Sequence, residues 1–291
     1  MAQPKVAVVT GASRGAGKGI ALGLGEAGMT VYVTGRSEKT GLAHGWDGTP
    51  LPGTIHETAA EISAAGGKGV AVPCDHGDDA RVASVFEEII AAEGRIDILV
   101  NNAAHMHPQL IEDKPFFEKE IAAVGILDVG LRSAYIASWH AAKVMAEQKS
   151  GLITFTSSFG ATCYMHGPAY GAQKAGIDKL AHDMAIDLKP FGVNAISLWL
   201  GPQLTERALI AAEVKPEQYK DFIAMAETPQ FVGDIIYALA STDVGEKYTG
   251  HTLVTAEIAD ELGLKDRNGK QPPSHRQMLG SPREPNPAIV R

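Results

Sequence analysis

Lys5-Val-Ala-Val-Val-Thr-Gly-Ala-Ser-Arg-Gly-Ala-Gly-Lys-Gly-Ile20 is the stretch on which the fold turns. Residues 5–10 form a short β-branched run, the composition of a strand buried on both faces. Residues 11–19 are glycine-rich, and residues 20–27 then read as helix. Glycines at such a strand-to-helix junction let the backbone approach a pyrophosphate. The helix N-terminus adds free N–H groups and the positive end of its dipole. On this reading Gly11, Ser13, Arg14, Gly15 and Gly17 cradle the phosphates of a dinucleotide.

The rest of the chain repeats the alternation. Strands are expected at 30–34, 69–73, 96–100, 151–156, 193–200 and 251–255. Helices are expected at 55–65, from Asp78 or Asp79 to Glu93, at 169–189 and at 231–241. Residues 116–148 read as mostly helical, with a bend at Gly125 and Gly130. Strands alternating with helices call for an α/β fold: a three-layer, Rossmann-like, doubly wound parallel sheet in a single domain. That domain is expected to span 1–258, and 259–291 to form a C-terminal extension. Residues 36–53 read as a long loop and 203–230 as mobile helical segments that cover a substrate. The last 20 residues hold five prolines and read as an extended tail packed on the body or on a neighbouring subunit.

Composition narrows the function. The chain has 291 residues, 45% of them hydrophobic, enough for one large core. Lys plus Arg is 26 against 34 Asp plus Glu, a net charge of −8, which argues against a nucleic-acid binder. No apolar run of ~18 residues is evident, so no membrane span is expected. The first residues show no signal-peptide core, and two cysteines, Cys74 and Cys163, make no disulfide framework. A cytoplasmic setting is the expectation.

Two further patterns carry chemistry. The second strand ends Thr34-Gly35-Arg36-Ser37, with no acid to hold an adenosine ribose hydroxyl. Arg36, together with Arg14, suits a 2′-phosphate instead, so NADP(H) is the expected cofactor and NAD(H) the less favoured one. Tyr170 and Lys174 stand four apart at the start of a helix, on one face. An ammonium beside a phenol favours the phenolate, and the tyrosine then exchanges a proton with a substrate oxygen near neutrality. Thr156-Ser157-Ser158 ends the fifth strand and offers a hydroxyl to polarise the same oxygen.

With these motifs in place the chain resembles the short-chain dehydrogenases/reductases over about residues 4–256. The matching elements are Thr10-Gly11-x-x-x-Gly15-x-Gly17, Cys74-Asp75, Asn101-Asn102-Ala103-Ala104, Ser157, Tyr170-x-x-x-Lys174 and residues 201–205. The 36–56 loop and residues 259–269 look like the branch of that family containing dehydrogenase/reductase family member 1. The resemblance implies that Ser157, thirteen before Tyr170, polarises the substrate, with Ser158 as the fallback. It implies Tyr170 as general acid/base and Lys174 as the residue that lowers its pKa and binds the nicotinamide ribose. Asp75 would hold the adenine, Asn101 and Ala103 would line the cofactor groove, and Thr205 would contact the carboxamide or pyrophosphate. The family's helix asparagine, whose carbonyl serves a proton relay to the lysine, is matched here to Asp128, an altered relay member: the carbonyl survives the change, and a carboxylate near Lys174 would favour the charged lysine. The family's Pro-Gly after the sixth strand is replaced by Gly201-Pro202.

His105, His107 and His166 lack a third ligand at useful spacing, so no metal is expected, and at least one of them is expected to line a substrate pocket. Phe159, Tyr164 and Met165 fall in the same region. Ala172, Ala175 and Gly176 allow close helix approach, and the family pairs such helices in homodimers or homotetramers. The reading is an NADP(H)-dependent oxidoreductase for a small to medium carbonyl/secondary alcohol pair. A non-catalytic dinucleotide sensor or scaffold is the alternative. Epimerisation or dehydration through a tightly held NAD is disfavoured by Arg36.

Overall fold

The computed structural model describes residues 4–45, 48–214 and 216–290. The first three residues, two of the 36–53 loop, one of the 203–230 segment and the last residue of the C-terminal tail lie outside them. Seven strands, β1 (Val6–Thr10), β2 (Thr30–Gly35), β3 (Lys68–Pro73), β4 (Ile98–Asn101), β5 (Gly151–Ser157), β6 (Val193–Trp199) and β7 (Thr252–Val254), form one sheet. Its order is β3-β2-β1-β4-β5-β6-β7, and every pairing is parallel. The strand order reverses between β1 and β4, the crevice in which such sheets bind ligands.

The pleat sends alternate residues to opposite faces, which is why β1 is an unbroken apolar run. Ala7 and Val9 enter a core with α1 (Gly15–Glu26), α2 (Ile55–Ala64) and α8 (Pro229–Leu239). Val6 and Val8 enter a second core with α3 (Asp79–Glu93), α4 (Ser133–Gln148) and α5 (Pro168–Leu188). Each fully buried Val or Ile side chain contributes about 1.5–3 kcal/mol.

The first helix starts at Gly15, earlier than expected. Its glycines are required by packing: a Cβ on Gly19 would lie 2.1 Å from the Pro229 Cβ, and one on Gly23 would lie 2.8 Å from the Gln230 carbonyl. Backbone contact between α1 and α8 outweighs the poor helix propensity of glycine. Of the two aspartates that could cap α3, Asp78 does so, accepting from the Ala80 and Arg81 N–H groups. Thr54 caps α2 through the Glu57 N–H.

The 116–148 region is not one bent helix. Short 3₁₀ turns at Pro108–Ile111, Phe116–Glu118 and Ile121–Val124 precede Leu127–Arg132, where Val129 and Gly130 leave helical geometry. Contrary to the composition reading, residues 121–148 do contain a window apolar and long enough for a membrane span. The break at Gly130 interrupts it, and Ala134, Ala137, Ala141 and Met145 are buried against the sheet, as in a core helix. The 203–230 segment holds α6 (Glu206–Val214) and α7 (Pro216–Met225). A short α9 (Thr242–Tyr248) precedes β7. Beyond β7, α10 (Thr255–Glu261) buries Ile258 and Ala259 in the core. The tail folds back on the body: Arg276 bonds Glu257 and Leu279 packs with Phe159 and Trp199.

Candidate active site

The glycine turn is locked to the end of β4 by hydrogen bonds. Thr10 Oγ1 accepts the Asn102 and Ala103 N–H groups at 2.9 and 3.0 Å. Asn102 Nδ2 donates to the Thr10 and Gly11 carbonyls at 2.9 and 3.1 Å. Gly11 has φ +66°, and a Cβ there would fall 2.7 Å from the Ala103 Cα. A Cβ on Gly17 would fall 2.4 Å from Asn102 Nδ2. The turn thus forms a cradle that only glycine backbone can line. The first N–H of α1, on Gly15, is bonded to a carboxylate oxygen of Glu206 at 2.8 Å. An anion already seats where the sequence predicts phosphate, so these residues fit a dinucleotide. Ser13 is buried in the same turn.

The two arginines differ. Arg14 donates to the Pro52 and Gly53 carbonyls at 2.9 and 2.6 Å, straps the 36–53 loop against the turn and is held below its ordinary pKa by burial. Arg36 has a side chain 67% exposed, with Asp75 at 3.8 Å. Of the pair expected to face a 2′-phosphate, Arg36 is the more available one. Asp75 accepts the Gly77 N–H at 2.9 Å through one oxygen and keeps an exposed carboxylate beside Arg36.

The two serines face different partners. Ser158 Oγ lies 3.0 Å from the Tyr170 hydroxyl. Ser157 ends β5 in register with Trp199, and its Oγ donates to the Lys174 carbonyl at 3.4 Å. The thirteen-residue spacing selects Ser157, whereas the serine whose hydroxyl meets Tyr170 is the fallback, Ser158. The connection from the site serine to the tyrosine is here twelve residues, and strand alternation turns Ser157 under α5. Lys174 Nζ donates to the Thr156 carbonyl at 3.0 Å and lies 5.4 Å from the centre of the Tyr170 ring. Burial pushes Lys174 down to about 8, against the opposing pull of Asp178. Burial pushes Tyr170 up, offset in part by its bond to Ser158. In the protein without its cofactor, desolvation is the larger effect on this phenol and the Ser158 bond the opposing one.

Other expectations are corrected as well. Asp128 is exposed, and its carbonyl accepts the Ser133 N–H. The kink follows it directly, at Val129 and Gly130, and the Gly130 carbonyl accepts Gln173 Nε2 at 2.9 Å. Asn101 does not line the groove with its side chain, which is buried and donates to Ser138 at 2.9 Å. Its neighbour Asn102 meets the turn instead. Thr205 reaches the turn through its methyl group, 3.6 Å from where a Gly15 Cβ would be, while its hydroxyl accepts the Ala208 N–H.

Sequence reasoning also passed over Glu227. Its buried carboxylate accepts from Thr255 and Gln203, both at 2.7 Å. Its backbone pairs with Pro202 and Leu204, so it pins the Gly201-Pro202 loop. Burial pushes Glu227 up to about 7. The one available signal was an acid in an apolar context, Met225-Ala-Glu-Thr-Pro229.

Over the tyrosine lies an apolar cap. Leu110, Ala123 and Ile126 pack on Tyr170 together with Met106, Met165 and Ala169. The His166 ring stands edge-on to Tyr170 at 4.9 Å. His107 faces Glu120 at 3.6 Å, and His105 sits 6.1 Å from His107 between ring centres. Among the described residues no group of three His, Cys, Asp or Glu side chains is placed to hold a metal.

A turn that admits only glycine at a strand crossover, with a Ser–Tyr–Lys group at the next strand end, defines a dinucleotide-dependent oxidoreductase architecture. Residues 5–211 match the family model described as short chain dehydrogenase, and the chain belongs to that family. Within it the chain falls in the branch of dehydrogenase/reductase SDR family member 1. It is 37% identical to that protein from Mus musculus over 277 residues, covering 91% of this chain and 84% of the relative. The Homo sapiens protein of the same name is 36% identical over the same shares. Among solved structures, a metagenomic short-chain oxidoreductase in complex with NADP is 28% identical with a TM-score of 0.65, covering 86% of this chain and 96% of that one.

Proposed function

We propose that the protein is an NADP(H)-dependent oxidoreductase that interconverts a carbonyl and a secondary alcohol on a small to medium, partly apolar substrate. The observation that carries this is the 3.0 Å contact between Ser158 Oγ and the Tyr170 hydroxyl, with Lys174 Nζ behind the same ring. Nicotinamide, when bound, supplies or accepts the hydride. In the reducing direction Tyr170 gives its proton to the substrate oxygen, and the Ser158 hydroxyl donates a hydrogen bond to that oxygen. Lys174, held by the Thr156 carbonyl, offers positive charge to the tyrosinate left behind. Gly11, Gly15 and Gly17 would hold the pyrophosphate, and Arg36, with Arg14 behind it, the 2′-phosphate. Leu110, Ile126, Met106 and Met165 surround Tyr170 and support an apolar substrate face that excludes water.

The sensor reading rests on Asp128 and the altered Gly201-Pro202 turn, and the presence of serine, Tyr170 and Lys174 together speaks against it. We also propose self-association as a homodimer or homotetramer, supported by half-exposed Tyr135 and Trp139 on α4.

A Tyr170→Phe variant tests the reading. An enzyme loses turnover on a panel of carbonyl substrates and keeps NADPH binding, followed by nicotinamide fluorescence. Turnover that survives the substitution overturns the tyrosine mechanism.

A further inference from the structure

The covering segment reaches into the phosphate cradle. Glu206, the first residue of α6, places a carboxylate oxygen 2.8 Å from the Gly15 nitrogen. Gly15 is the first residue of α1, with a left-handed φ of +61°. An N–H at a helix start attracts anions. The neighbours of Glu206 fasten the same contact: the Thr205 methyl lies against Gly15, and Arg207 donates to the His44 carbonyl at 3.2 Å. Charge gathers here too. Arg14 feels the Glu206 carboxylate, and half-buried Arg207 is held below its ordinary pKa by desolvation and by Arg14.

We propose that Glu206 is an internal stand-in for a cofactor phosphate: its carboxylate occupies the Gly15 N–H in the cofactor-free protein, and a dinucleotide must displace it to bind. This rests on the cofactor reading of the Proposed function. One N–H does not serve two anions at full strength, and a carboxylate beside a pyrophosphate repels it. The binding-competent state is therefore the fraction of molecules with Glu206 withdrawn, and apparent affinity is reduced by that fraction. Because Glu206 begins α6, withdrawing it moves the segment that covers the substrate. Cofactor arrival and the position of the lid become one equilibrium. Arg14, on the turn itself, stays beside the cradle to meet whichever anion sits there.

Glu206→Gln and Glu206→Ala in the full chain test this by dissociation constants for NADPH, NADH and inorganic pyrophosphate, with thermal melting in parallel. Both variants should bind all three about fivefold more tightly than the parent. The NADPH-to-NADH ratio should not change, since the two cofactors share the same pyrophosphate. Unchanged or weaker dinucleotide binding in both variants, with a lowered melting temperature, overturns the proposal and leaves Glu206 as a strut for α6. Pyrophosphate separates the two ways of failing. If it binds more tightly to the variants while neither dinucleotide binds to any form, the cofactor reading falls and the carboxylate's competition with phosphate stands.

Discussion

Ser158, not Ser157, faces Tyr170: their hydroxyls are 3.0 Å apart, while Ser157 turns to the Lys174 carbonyl beneath α5. Replacing Ser158 by Ala removes the hydrogen bond expected to polarise the substrate oxygen. The expected loss in kcat is about 100-fold, with NADPH binding unchanged. Ser157→Ala deletes a buried hydroxyl facing the Lys174 backbone and should cost stability, about 1 kcal/mol, more than rate. Steady-state kinetics and melting curves on the two variants decide the assignment, and a larger kcat loss in the Ser157 variant reverses it.

The fold was legible because β1 and its glycine turn impose one period and one junction, and later strands repeat them. Tyr170 and Lys174 were legible because their spacing is fixed by a single helix. What escaped depended on counting across irregular backbone. The serine was chosen by a spacing that one fewer loop residue defeats. The break after Asp128, at Val129 and Gly130, involves a tertiary contact of Gly130 with Gln173 that no local pattern shows. Asn101 and Asn102 read alike in sequence, and only their place at the end of β4 sends one to Ser138 and the other to the turn. Glu206 and Glu227 act across long chain separations that no local pattern encodes.

Glu227 makes stability depend on pH. Its folded pKa is raised from 4.5 to about 7, so the folded protein holds this proton more tightly than the unfolded chain. Stability from this group is fully present below its unfolded pKa and is lost as pH rises through its folded pKa. Asp266 adds to the penalty on the charged form, while Thr255, Gln203 and the Gly201 backbone oppose it. The wild-type melting temperature should fall from pH 5 to pH 7.5, with a contribution of up to about 3 kcal/mol. Glu227→Gln, which cannot ionise, should flatten that slope, and an identical slope in both proteins refutes the assignment.

Contact between α1 and α8 predicts an intolerant glycine. A Gly19 Cβ would stand 2.1 Å from the Pro229 Cβ, with the Pro229 carbonyl carbon at 2.5 Å. Neither is the end of a flexible side chain, so the helices must separate. Ala at position 19 should improve helix propensity by about 1 kcal/mol and still destabilise the fold by about 3 kcal/mol through overpacking. Gly28→Ala is a useful contrast, because a Cβ there meets nothing within 4 Å and its cost is the left-handed backbone, φ +81°, alone. Urea unfolding should rank the Gly19 variant well below the Gly28 variant.

Arg36 should decide between the two nicotinamide cofactors. It follows the end of β2, where an acid would hold a ribose hydroxyl, and its guanidinium is exposed beside a single acid, Asp75 at 3.8 Å. Arg14 is already bonded to the Pro52 and Gly53 carbonyls. The 2′-phosphate contact therefore rests chiefly on Arg36, as a charge-assisted pair. Arg36→Ala should weaken NADPH binding about tenfold, a loss of about 1.4 kcal/mol, and leave NADH binding within about twofold. Raising the salt concentration should narrow the wild-type NADPH advantage, since the pair is solvent-exposed. Equal losses for both cofactors would place Arg36 outside the 2′-phosphate subsite. An NADH preference in the parent protein would refute the cofactor assignment itself.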